Sequence, residues 1–136
     1  MVEGVKSLQD EGYSIELTVL EGLSNSEIIE AMLTTDLVID QLVIGWYAMF
    51  AIEAMSLGKP VICYIRQDLL ELYTAAGLID DMPIINARPD NLKTVLLDCI
   101  ENKIDLENVG QRSWEYCQKN HSYASVGEQL SHICQI

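Results

Sequence analysis

The run GWYAMFAIEAMSLGKPVICYI, residues 45–65, carries one carboxylate, Glu53, inside an otherwise apolar stretch. An acid packed among aliphatic side chains costs on the order of several kcal/mol unless it is paired or bound. On the wet face of a helix the same acid costs little. Glu53 is therefore either a solvated helix position or a group kept for a ligand, and spacing alone leans to the solvated position, because acids on core helices are commonly exposed. Arg66 follows the apolar run and is placed to meet a phosphate. An ion pair with Asp68 or Glu71 is the commoner fate of such a residue.

Other chemistries find less support. No Ser-His-Asp or Cys-His set is present, the nucleophile-elbow pattern is absent, and no cysteine has a base beside it in sequence. Asp80-Asp81 reads as a turn rather than a hydrolytic carboxylate pair. His121 sits at a helix break, KNHSY, where a lone histidine is usually structural; His132 falls on a surface helix. Cys63, Cys99, Cys117 and Cys134 form no CxxC pair and have no histidine at a ligand spacing. They read as reduced thiols of a cytoplasmic protein, with no metal site.

The elements that must position these residues alternate along the chain. Residues 2–11 are helical, with Val2, Val5 and Leu8 on one stripe and Gly12 as the stop. Ser14–Leu20 alternates and is rich in branched residues, so it reads as a strand. Ser24 or Asn25 caps the next helix, whose buried stripe is Ile28, Ile29, Met32 and Leu33. Strands follow at 36–40, 60–65 and 83–86, with helices at 46–57, from Arg66 to about Gly77, and at 91–102. From Leu106 onward two helical segments are expected.

Strands alternating with helices at this spacing predict an α/β fold: a Rossmann-like parallel sheet with helices on both faces. Ligands in such sheets bind beyond the C-terminal strand ends. The first element is a helix without a strand before it, so the opening strand and its glycine-rich loop are lacking, and the chain reads as part of a larger unit. An uncovered strand edge would invite self-association or a partner.

The totals narrow the function classes. A chain of 136 residues with 49% hydrophobic content is one domain with a real core. Eight basic against 21 acidic residues leave a net charge of -13, which argues against nucleic acid and anionic membranes. No apolar run approaches the ~18 residues of a transmembrane helix, and the acidic N-terminus is unlike a signal peptide.

The stretch DQLVIGWYAMFAIEAMSLGKPVICYI resembles the nucleotide-sugar-binding C-terminal half of GT-B type glycosyltransferases, the group-1 and glycogen synthase-like enzymes. EAMSLGKPV, residues 53–61, is similar to the family's run from its second glutamate into the next strand. Flanking pieces agree in order: "VLEG", "TTDLVID", "PIINARPDNL" and "GQRSWEYCQKNHSY". The resemblance covers nearly the whole chain, about half of such an enzyme.

The resemblance implies that Glu53 accepts hydrogen bonds from the ribose hydroxyls of a nucleoside-diphosphate sugar, the donor substrate. It implies that Gly45, Trp46, Tyr47, Ala48 and Met49, as loop and first helical turn, present backbone N–H groups to the sugar and diphosphate. Gly22 and Leu23 would lie near the nucleobase. Two departures stand out. The family's first glutamate would fall at Gly45, with Asp40 and Gln41 as nearby polar residues and Gln41 reading more readily as a turn residue than as a ligand contact, and the basic opening loop that meets the diphosphate is missing. The implied function is donor binding in a transferase whose acceptor-binding domain lies elsewhere. A non-catalytic sugar-nucleotide-binding subunit that associates with itself or a partner, and a domain related to sugar-nucleotide epimerases, are the alternatives.

Overall fold

The apolar triplet Val61–Cys63 has no polar side chain to solvate, and all three residues are buried. In the computed structural model, which describes residues 1–135, this triplet is the central strand β2 of an open, three-stranded parallel sheet. It lies between β1 (Val38–Ile39) and β3 (Ile85–Asn86), with Val38 opposite Val61 and Ile62 opposite Ile85. Alternation along the strand divides the core in two. Val61 and Cys63 pack with Val38, Met32, Ala51, Met55 and Tyr116 on one face; Ile62 packs with Val5, Leu8, Leu92 and Leu96 on the other.

The helices layer accordingly. α2 (Asn25–Thr34), α3 (Met49–Ser56) and α6 (Leu106–His121) cover the first face, while α1 (Val2–Asp10) and α5 (Leu92–Ile100) cover the second. α4 (Gln67–Ala75) links β2 to β3, and α7 (Tyr123–Cys134) follows α6 after Ser122 and buries none of its side chains. The α/β class and the helices on both faces agree with the sequence pattern. Among the described residues no helix is long and apolar enough to cross a membrane.

Three local expectations need correction. Ser14–Leu20 has no regular secondary structure and belongs to no sheet, with Ile15 and Leu17 half-buried and Ser14, Glu16 and Thr18 exposed. The alternation is real, but a strand exists only with a neighbour to pair with, and none lies beside this one. Leu33 is 55% exposed, because the buried stripe of α2 stops at Met32. The helix expected from residue 46 begins at Met49, so Gly45–Ala48 precede it as loop.

Candidate functional site

The C-terminal end of β1 leads into a loop, residues 40–48, that Gln41 ties together. Its Oε1 accepts the N–H groups of Val43 (3.0 Å) and Ile44 (2.6 Å). Its Nε2 donates to the carbonyl oxygens of Trp46 and Tyr64 and to Cys63 Sγ. Both ends of the amide are thus occupied within the protein, so Gln41 shapes the loop. Val43 and Ile44, at 75% and 77% exposed, form its apolar tip.

Gly45 closes the loop with φ +96°, a conformation open to glycine. Its carbonyl accepts the Arg66 N–H at 2.9 Å, and the Arg66 stem lies so close that a Cβ on residue 45 would sit 2.5 Å from Arg66 Cγ. Arg66 itself is held by Asp68, Nε to Oδ1 at 3.0 Å and Nη2 to Oδ2 at 2.6 Å, the fate its position foretold.

Trp46 stacks on Tyr47 and on Tyr73 of α4, with centroids 5.5 and 4.8 Å apart. Tyr47 Oη lies 3.1 Å from Tyr116 Oη and 3.1 Å from His121 Nε2. Burial pushes the Tyr47 and Tyr116 hydroxyls above the ordinary phenol range and holds His121 below the ordinary imidazole value. These side chains anchor the loop to α6; they are packing, as aromatic residues at a helix start commonly are.

What stays open is α3 itself. Ala48 caps it without a side-chain hydrogen bond, and Ala48 and Met49 are exposed. No acceptor takes the N–H groups of Ala48, Met49 or Phe50 among the described residues. The first turn of a helix leaves such donors free, at the positive end of its dipole. Glu53 lies one turn on, along the stripe Met49–Glu53–Ser56 that faces away from Ala51, Ala54 and Met55.

Only three of the 21 acids are not exposed: Asp40, Glu53 and Asp98. Asp98 pairs with Lys103 and Asp40 is met by Cys63 Sγ, whereas Glu53 has no side-chain partner among the described residues. Gly22 (φ +69°) and Leu23 form the exposed turn into α2 and make no hydrogen bond to the 40–48 loop.

No family model, no curated protein and no solved structure matches the chain. Its chemistry is therefore read from the residues alone. Among the described residues no group of three or more His, Cys, Asp or Glu is placed to hold a metal ion. The geometry offers an anion a set of backbone donors, and a diol an unpaired carboxylate, on one uncovered helix face.

Arg88, just beyond β3, was not singled out by sequence reasoning. Its guanidinium lies 4.7 Å over the Tyr64 ring and Nη2 donates to Tyr64 Oη at 2.9 Å. It makes no ion pair among the described residues, which leaves a positive group at the C-terminal side of the sheet. The only sequence signal was its place after the strand PIIN.

Proposed function

We propose that this chain is the donor-binding half of a GT-B type glycosyltransferase, holding a nucleoside-diphosphate sugar over the N-terminal end of α3. The observation that carries the reading is the pairing, on one open helix face, of unbonded N–H groups at residues 48–50 with the unpartnered carboxylate of Glu53. At 1.5 Å rise per residue, Met49 and Glu53 are about 6 Å apart along the axis. A nucleoside diphosphate spans such a gap between its phosphates and its ribose diol. The resemblance of EAMSLGKPV to the family's run is in line with the same assignment.

In the reaction, the sugar's anomeric carbon passes from the diphosphate oxygen to an acceptor hydroxyl, whose proton leaves to a base. Negative charge grows on the departing diphosphate. The N–H groups of Ala48, Met49 and Phe50 stabilise that charge, and Glu53 fixes the ribose so that the diphosphate stays in register. Acceptor site and base belong to the remainder of the enzyme, so the chain alone is expected to turn over little donor.

Calorimetric titration with UDP, GDP and their sugar conjugates tests the reading, with Glu53→Ala alongside. Binding weakened about tenfold or more by the substitution, or roughly 1.4 kcal/mol, with an unchanged circular dichroism spectrum, is the expected result. Failure of every nucleotide to bind the wild type, or equal affinity in both proteins, would overturn it.

A further inference from the structure

A cleft of about 1120 Å³ runs along the free edge of β1, from Lys59 and Pro60 at one end to Asp40 and Phe50 at the other. It lies in the plane of the sheet. Met32 and Phe50 close it on the side of the α2–α3 layer, and Leu96 and Ile100 close it on the side of α5. One lateral wall is β1; the other is the segment 14–20, whose burial alternates through Thr18 like a strand's and which pairs with none.

Both walls present unmet backbone. Val38 and Asp40 donate to Pro60 and Ile62, so the amide and carbonyl of Ile39, between them, are directed to the open side. Across the cleft, the backbone of residues 14–20 takes part in one described hydrogen bond, from Gln9 Nε2 to the Ile15 carbonyl. Half-buried backbone of this kind is seldom left without partners. An occupant that satisfies both walls must carry donors and acceptors at the spacing of a strand, which only another polypeptide does.

Charge selects among polypeptides. The lining includes Glu16, Glu21, Asp36, Asp40 and Glu107 against Lys59 and the amino group of Met1, and Lys59 Nζ already donates to the carbonyls of Leu33 and Thr35. A second copy, at net charge -13, would be repelled from this rim. We propose that the cleft is a docking slot for an extended segment of a partner protein, apolar in its middle and basic at its ends. The slot shares Phe50 with the N-terminal end of α3 but none of Ala48, Met49 and Glu53, so this inference does not depend on a nucleotide binding there.

The test uses fluorescent ten-residue peptides with a common core of alternating valine and threonine. One is flanked by lysines, one by glutamates, and a third has lysine flanks with N-methylated core amides. Anisotropy is expected to show the lysine-flanked peptide binding at least about tenfold tighter than either of the others, and more weakly as salt is raised. The exposed rim substitutions Glu16→Lys and Asp36→Lys together should weaken it about fivefold or more. Ile39→Pro, which removes the open-side donor without touching the β1–β2 ladder, should do the same. Equal affinity for both flanks, or no binding of the lysine-flanked peptide, would overturn the proposal. So would a stable dimer in sedimentation whose Ile39 amide already resists exchange, since a second copy would then fill the slot.

Discussion

Gly110 of α6 crosses the C-terminal turn of α3 so closely that a methyl group on it would fall within 3.0 Å of the Gly58 carbonyl oxygen. The same methyl would lie 3.5 Å from Pro60 Cδ, at the entry to β2. This crossing sets the height of α3 over the sheet, and with it the place of Glu53. An alanine at an exposed mid-helix glycine stabilises by about 1 kcal/mol. Here the atom it meets is backbone and cannot swing aside, so steric cost wins. Gly110→Ala should destabilise the protein by about 1–3 kcal/mol, measured as a lower urea midpoint; a midpoint that rises would show the crossing to be loose.

One turn further along α6, the opposite sign is expected. Ser113 is fully buried, and its hydroxyl is without a hydrogen-bond partner. A desolvated, unpaired hydroxyl costs about 1–3 kcal/mol, and serine is a poorer helix former than alanine. Ser113→Ala should therefore raise stability by about 1 kcal/mol. The two substitutions, compared by urea denaturation, should move the midpoint in opposite directions.

Local chemistry was legible in the sequence and distant chemistry was not. The apolar run at 60–65 reads as a buried strand and holds β2 at Val61–Cys63, Gly58 ends α3 with φ +71°, and Ser24 with Glu27 forms the reciprocal cap of α2. Each depends on residues within one turn of one another. Ser14–Leu20 shows the limit: its alternation was read correctly, but pairing needs a neighbour that local pattern cannot supply. Tyr47 meets Tyr116 and His121 across 69 and 74 residues, and Arg88 meets Tyr64 across 24. Nothing in the intervening composition announces those contacts. For the site, the sequence placed Glu53 on its helix and favoured a turn role for Gln41, while only the structure showed which loop groups its amide binds.

The thiols should separate cleanly by reactivity. Burial, with Asp40 beside it, pushes the Cys63 thiol up to about 12, and burial raises Cys99 and Cys117 as well. Cys134 alone is exposed. Attack by a thiol on a disulfide reagent requires the thiolate and access to it. In Ellman titration the native protein should show one fast thiol, lost in Cys134→Ser, and all four should react after denaturation. A second fast thiol in the native state would mean that β2, α5 or α6, which carry the other three, opens readily.

His121 gives stability a pH dependence whose sign can be stated in advance. Burial holds its folded-state value below the ordinary 6.5, so the unfolded chain binds the proton more readily. The contribution is complete above about 6.5 and is lost as pH falls from there through the lower folded value. Protonation also puts a hydrogen on Nε2, facing a Tyr47 hydroxyl that already engages Tyr116. Wild type should therefore lose stability as pH falls from about 6.5 to about 5, and His121→Gln should lose less over the same interval. Urea midpoints taken for both proteins across that window decide the matter. Parallel curves would show that the Tyr47–Tyr116–His121 cluster admits enough water to solvate the imidazolium.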